Sequence, residues 1–313
     1  MALKNVLSLF DGMSGAQLAL QKSGVKVDNY YASEIDPYAV KVTKHNFPNT
    51  HHLGSVVDVI GSDLPQIDLL IGGSPCQGFS FAGRQLNFDD PRSKLFFEYV
   101  RLLKELKPKY FLLENVKMKQ ESMDVITNEL GVEPIFINSS LVSAQNRQRL
   151  YWTNIPFDMP TDKGIMLKDI LENGCTDRDK LHCLDANYWK GGNLKSYFEK
   201  HRRCLVFSDD GLCHVGDADI KTFDMNKRVY HSSGKSPTLT TMGGGHREPK
   251  VLVDPMAWRK LTVTECERLQ TVPEGYTAMG SDGKKVSNTQ RYKMLGNGFT
   301  VDVIVGILNG IKN

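Results

Sequence analysis

The run NVLSLFDGMSG, Asn5 to Gly15, decides the fold. Asn5 to Phe10 is a short apolar stretch of strand character, Asp11-Gly12-Met13-Ser14-Gly15 breaks it, and Ala16, Leu18, Ala19 and Leu20 suit a helix ending near Gly24. Strand, glycine turn and helix in this order open a βα unit, and the unit repeats. A strand at Tyr30 to Ser33 ends on Glu34, and Pro37 begins a helix through Tyr38, Val40 and Val42. Strands at Ile67 to Ile71, Tyr110 to Leu113 and Pro134 to Asn138 alternate with helices at Ser93 to Leu106 and Met123 to Leu130. Such alternation predicts a doubly wound, Rossmann-like α/β domain, a parallel sheet with helices on both faces.

After about Trp152 the rhythm changes. From Thr176 to Leu261 the chain is rich in Gly, Asp, Lys, His and Arg, with short strand-like pieces such as Cys204-Leu205-Val206-Phe207, which predicts a smaller, irregular second domain. Helical patterning returns at Thr262 to Leu269, and Val301 to Ile311 reads as an apolar helix. The expected divisions are residues 1–175, 176–262 and 263–313, the last returning to the first domain. A length of 313 residues at 40% apolar content suffices for one large core and a satellite. The net charge of +3 permits a polyanionic partner without requiring one. The N-terminal run is too short for a signal sequence, and no stretch reaches the roughly 18 apolar residues of a membrane span, so a cytoplasmic protein is expected. Cys76, Cys175, Cys183, Cys204, Cys213 and Cys266 include no CxxC pair, and reduced thiols are expected. The scatter of Cys175, His182, Cys183, His201, Cys204, Cys213 and His214 matches no zinc-ligand spacing, and no metal is expected.

In doubly wound sheets ligands bind beyond the carboxyl ends of the strands, and three such ends carry chemistry here. The turn at Asp11 to Gly15 lets a cofactor press against backbone, and Glu34 after the next strand is placed to accept hydrogen bonds from a ribose diol. A glycine turn alone is as often merely structural. Gly72-Gly73-Ser74-Pro75-Cys76-Gln77-Gly78-Phe79-Ser80 sets a thiol after a strand, either as a small buried residue in a tight turn or as a nucleophile. Glu114-Asn115-Val116 sets a carboxyl after another strand, facing either solvent or the same pocket.

Short motifs then stand in one order: FDGMSG at 10–15, SE at 33–34, GGSPCQGFS at 72–80, ENV at 114–116, QNRQR at 145–149, RKLTVTECERLQTVP at 259–273 and GNG at 296–298. In that order they resemble the cytosine-5 DNA methyltransferases, over nearly the whole chain except the small domain. The resemblance implies a methyltransferase sheet with a target-recognition domain, S-adenosyl-L-methionine as cofactor and double-stranded DNA as partner. It matches Cys76 to the family's nucleophile, Glu114 to its glutamate, and Arg147 and Arg149 to its QxRxR arginines, the second beside the cytosine carbonyl. Carried over by position, it implies Phe10, Gly12, Met13, Gly15, Glu34, Ile35, Ser55, Val56, Pro75, Leu95 and Asn297 as cofactor contacts. At Gly54-Ser55-Val56 a serine stands where the family usually has an aspartate for the adenine amino group, and Gly298-Phe299 departs slightly from the last motif. On the DNA side it implies Gln77, Ser80, Arg84, Thr238, Leu239 and Arg247, with Gly78 to Arg92 as a closing loop and basic loops around Lys195, Lys200, Arg202, Arg203 and Lys235.

The chemistry accounts for the residue types. Carbon 5 of cytosine is a poor nucleophile until a thiolate adds to carbon 6, and a carboxyl at ring nitrogen 3 stabilises the charge that develops. A base inside a duplex cannot meet the thiol, so it must be flipped out. The resemblance leaves room for a monomer and for a cognate restriction endonuclease. Two alternatives stand beside it: a tRNA methyltransferase of the same family, whose Cys-Phe-Thr element is missing here, and an inactive DNA-binding relative, against which Cys76 and Glu114 speak.

Overall fold

The computed structural model describes residues 2–75, 95–193, 197, 203–207, 214–217, 228–231, 250–252 and 258–312. Cys76, Gln77, Ser80, Arg84, the loop to Arg92, Lys195, Lys200, Arg202, Cys213, Lys235, Thr238, Leu239 and Arg247 lie outside the described residues.

Apolar alternation builds one sheet. β1 (Ala2–Leu9), β2 (Lys26–Ser33), β3 (His51–Gly54), β4 (Leu69–Gly73) and β5 (Tyr110–Val116) run parallel. β6 (Ile135–Asn138) and β7 (Gln148–Thr153) complete seven strands in the order β3-β2-β1-β4-β5-β7-β6. β7 is antiparallel to both β5 and β6, so the sheet is mixed, not wholly parallel as the alternation predicts. The reason is connection length: residues 139–147 are too few for a helical crossover, and a short link can only return the chain antiparallel. Pleating sends neighbours to opposite faces. Leu69, Ile71, Leu112 and Tyr151 enter one core with α1 (Gly15–Ser23) and α2 (Pro37–Asn46). Leu70, Phe111, Leu113, Leu150 and Trp152 enter the other with α3 (Leu95–Leu106) and α4 (Gln120–Leu130).

The C-terminal segment closes back on the first βα unit. It comprises α5 (Val263–Leu269), α6 (Asn288–Asn297) and α7 (Val301–Leu308), and α7 packs against α1. Asn288–Ile311 is long and apolar enough to cross a membrane by length and composition, which corrects the expectation that no run is. Its apolarity serves the core: Gly298 interrupts it, and Val301, Val303, Ile304, Ile307 and Leu308 are buried beside Ala16, Leu18 and Ala19. Ion pairs of Asp302 with Lys22 (2.5 Å) and Lys163 (2.7 Å) add little, since partly exposed pairs are worth up to about 1 kcal/mol. The apolar face carries the attachment.

Two glutamates of the ECERLQ stretch anchor α5. Glu265 closes a capping box, its Oε2 accepting from Thr262 N at 2.7 Å while Thr262 Oγ1 accepts from Glu265 N at 3.1 Å, and it also pairs with Arg259 at 2.8 Å. Glu267 is fully buried and accepts from Gly275 N (2.7 Å), Thr277 N (2.9 Å), Thr277 Oγ1 (2.6 Å) and Arg291 Nη2 (3.0 Å). In the expected small domain, Leu205–Phe207 pairs antiparallel with Trp258–Lys260, and His214–Asp217, Arg228–His231 and Lys250–Leu252 form a separate sheet. Leu181, Leu184, Tyr188, Leu205 and Val206 share one core with Cys266, Leu269 and α7, so the region after 176 is rooted in the main core.

Candidate active site

The first turn is backbone under constraint. Phe10 (φ 57°), Gly12 (φ 58°) and Ser14 (φ 59°) are all left-handed, a conformation that only glycine adopts freely. A hydrogen-bond net holds it: Asp11 N donates to Ser33 O (3.1 Å), Gly12 N to Glu34 Oε2 (2.8 Å), and Tyr276 OH to Met13 O (2.7 Å). The Asp11 carboxylate accepts from the Ser14 hydroxyl and from Tyr30 OH at 2.7 Å. Glu34 Oε1 takes the amides of Ile35 and Asp36, each at 2.8 Å, so the residue read as a ribose acceptor also fixes the turn. Such strain concentrates at functional sites, where surrounding structure over-determines it.

Burial pushes the Asp11 carboxyl from 3.8 up to about 6, against the hydroxyl bonds from Ser14, Ser8 and Tyr30. The folded protein therefore holds this proton more tightly than the unfolded chain. Stability contributed by the neutral acid is full below about pH 4 and is lost as pH rises through about 6, a change of about 3 kcal/mol. Urea denaturation of the wild type and of an Asp11→Asn variant between pH 4 and 7 should show the wild type losing ground by that amount. A pH-independent difference between the two proteins counts against it.

β4 and β5 deliver the other two strand ends. A Cβ on Gly72 would sit 2.8 Å from Leu9 O, and one on Gly73 would sit 3.0 Å from Glu114 Oε2, so both glycines answer close approach. Asn115 is buried and ties the two ends together, donating from Nδ2 to Ser74 Oγ at 3.0 Å. Glu114 Oε1 pairs with Arg149 Nε at 2.8 Å, each side chain 14% exposed. Arg149 comes from β7, whose antiparallel run sets it opposite Val116.

Arg147 is placed differently. It is buried, and its guanidinium donates to the carbonyls of Leu184 (2.9 Å), Gly296 (3.2 Å) and Gly298 (2.9 Å). Gln145 donates to Leu269 O (2.8 Å) and Gln270 Oε1 (3.0 Å), and Gln270 donates to Leu295 O (2.6 Å). The QNRQR, ERLQ and GNG motifs are thus one hydrogen-bonded unit. Cys183 lies against the two arginines, its thiol 3.3 Å from Arg147 Nη1 and 3.7 Å from Arg149 Nη2. Burial raises its pKa, the two guanidinium charges outweigh this, and the thiol ends below its ordinary value. Among the described residues no three His, Cys, Asp or Glu side chains converge on a metal position.

All of this surrounds one cavity of about 680 Å³, within the range of small-molecule sites. Phe10, Gly12, Met13, Gly15, Glu34, Ile35, Ser55, Val56, Pro75, Leu95 and Asn297 line it, together with Glu114, Arg147 and Arg149. The structure therefore brings together every described catalytic and cofactor candidate, while Arg203, read as part of a basic loop, lies elsewhere, bonded to Gly191 O and paired with Asp185. Ser55 Oγ faces back to Val57 N at 3.4 Å, and the next acid, Asp58, is exposed and outside the lining. Sequence reasoning missed Asp11, Asn115, Lys293 and Phe299 as lining residues. The strand-end rule was signal enough for the first two. Lys293 pairs with Asp36 at 2.6 Å between α6 and the start of α2, a contact across the length of the chain that no local pattern announces.

A small-molecule cavity at the carboxyl edge of such a sheet, with an ion-paired carboxylate beside it, sits where proteins of the Rossmann-like class bind their ligands. The model of the family described as C-5 cytosine-specific DNA methylase matches residues 4–313. The type II methyltransferase M1.ScrFI of Lactococcus lactis subsp. cremoris is 31% identical over 329 residues, spanning 96% of this chain and 76% of that one. The orphan methyltransferase M.Rho11sI of Bacillus phage rho11s is 29% identical over 352 residues, spanning 81% and 70%. The solved methyltransferase EhMeth of Entamoeba histolytica shares the fold, with a TM-score of 0.68 over 98% of this chain and 97% of that one at 16% identity. The chain belongs to the C-5 cytosine-specific DNA methylase family, and S-adenosylmethionine is the methyl donor of that family.

Proposed function

We propose that the protein methylates carbon 5 of a cytosine extruded from duplex DNA at a short recognition sequence, through a transient bond to Cys76. The observation that carries this reading is the Glu114–Arg149 pair, on the wall of the cavity that begins at Gly73-Ser74-Pro75 and faces the glycine turn. The cavity fits the donor by its cradle: Gly73 leaves no room for a side chain beside Glu114 and Phe299, and the turn presents bare backbone at Gly12.

Gly12, Met13 and Gly15 would hold the amino-acid portion of the donor, Glu34 its ribose through remaining lone pairs, and Phe10, Ile35, Ser55, Val56, Pro75, Leu95 and Asn297 its other surfaces. When bound, the sulfonium supplies an electrophilic methyl group. Cys76 adds as thiolate to carbon 6, forming the S–C6 bond and making carbon 5 nucleophilic. Glu114, ion-paired with Arg149 before the base enters, takes up a solvent proton with the incoming base and shares it with ring nitrogen 3, while its Oε1 still steadies Arg149, which faces the carbonyl oxygen where charge grows. Once carbon 5 carries the methyl group, solvent water takes its proton as the S–C6 electron pair returns to sulfur, which restores aromaticity and the thiolate. Arg147 acts by position, locking the segment at Gly296 to Gly298 that closes the cavity. Gln77, Ser80, Arg84, Thr238, Leu239 and Arg247 are assigned to DNA contacts. A cytoplasmic monomer fits this reading, with a cognate restriction endonuclease or without one, since the relatives bear both type II and orphan names.

The test is transfer of labelled methyl groups to duplex DNA and to tRNA in parallel, with bisulfite sequencing of the DNA. The label is expected in cytosine of DNA, and Glu114→Gln should lower kcat roughly 100- to 1,000-fold at donor affinity within about twofold. Label in tRNA alone, or an unimpaired Glu114→Gln enzyme, refutes the reading.

A further inference from the structure

Phe299 occupies the wall shared by the two halves of the cavity. Its Cδ2 and Cβ lie 3.7 and 3.8 Å from the point where a Cβ on Gly15 would sit, at the start of α1. At the far end of the ring, Cε1 lies 3.2 Å from the point where a Cβ on Gly73 would sit, and Glu114 Oε2 is 3.0 Å from that same point. One aromatic ring thus reaches from the cofactor turn to the carboxylate. Its backbone is fixed on both sides, because Gly298 O accepts from Arg147 Nη2 at 2.9 Å and Thr300 Oγ1 donates to Gln270 Oε1 at 2.9 Å. The side chain is half-buried and lines the cavity.

The methyl group must pass from the turn side of the cavity to the Glu114 side, and this ring flanks the way. Before transfer the sulfur is a sulfonium cation, and afterwards it is a neutral thioether. An aromatic face attracts a cation more strongly than the neutral thioether, which still gains a weaker sulfur–ring contact, and the difference grows where water is excluded. Resting on the function proposed above, we infer that Phe299 is a specificity-determining residue that reads the positive charge of the donor, so that the site favours S-adenosylmethionine over its demethylated product. Because the ring contacts the cation before the reaction as well as during it, its loss should fall on donor binding and not on the chemical step.

Calorimetric titration of S-adenosylmethionine and of S-adenosylhomocysteine measures this without turnover. Phe299→Leu should weaken the sulfonium donor by about 2- to 30-fold and the neutral product by a smaller factor, with KM raised and kcat kept. Phe299→Tyr, which retains a ring, should keep the wild-type ratio, and Phe299→Met provides a second ringless variant should the leucine protein fold poorly. Equal weakening of both ligands, or no change in either, overturns the inference and leaves the methyltransferase reading standing. Wild-type protein that binds no S-adenosylmethionine overturns both.

Discussion

A Cys76→Ala enzyme is expected to lose methyl transfer by a factor of roughly 10⁴ to 10⁶ while still binding S-adenosylmethionine. The size follows from the mechanism. In the proposed mechanism every group lining the described cavity steadies charge or position, and none makes carbon 5 electron-rich. Ser74, a hydroxyl on the cavity wall, is engaged by Asn115, and a neutral hydroxyl is a far weaker nucleophile than a thiolate. Single-turnover transfer of labelled methyl groups to duplex DNA measures the loss. A second readout comes from DNA carrying 5-fluorocytosine: carbon 5 then has no proton to release, so the wild type should stay bound through sulfur under denaturing conditions and the alanine variant should not. An alanine enzyme that turns over at the wild-type rate removes the covalent mechanism.

Replacing Glu267 by alanine is expected to destabilise the protein by about 3–5 kcal/mol, the cost of breaking a buried charged pair from one side. Glu267 collects the Gly275 and Thr277 amides, the Thr277 hydroxyl and Arg291, and is itself fully buried, so its removal strands four donors at once. For a chain of this size the melting point should fall by roughly 10 °C. The exposed Lys41–Asp282 pair is the control, and Lys41→Ala should leave the denaturation midpoint close to that of the wild type. Guanidinium denaturation of the two variants ranks them, and similar midpoints would contradict the buried-network argument.

How much of this was legible depends on the range of the interaction. The turn at Asp11 to Gly15, the strand ends at Gly73 and Glu114, and most of the helices are written locally, in apolar period and in glycine and proline placement. β7 was not, because Gln148–Thr153 mixes polar and apolar residues and its direction depends on the short link before it. β3 is four residues long and partly exposed, too little pattern to see. The QNRQR arginines read alike in sequence, yet Arg147 is buried against carbonyls contributed some 150 residues later and Arg149 meets Glu114. The count of consecutive apolar residues passed over Asn288–Ile311, which is long and apolar enough for a span by composition although much of it is buried, because core helices and membrane spans share their apolarity. The chemistry was more legible than the architecture: reactive residue types at strand ends are local facts, whereas the partners that orient them are not.

The cavity takes one wall from Gly12 and the other from Gly296 to Phe299. Ribosomes add roughly 5–20 residues per second, so roughly 15–60 s separate the synthesis of these two walls. During that interval the emerging polypeptide has its central strand but no complete pocket for the methyl donor, and an unfinished molecule near the genome is a silent one.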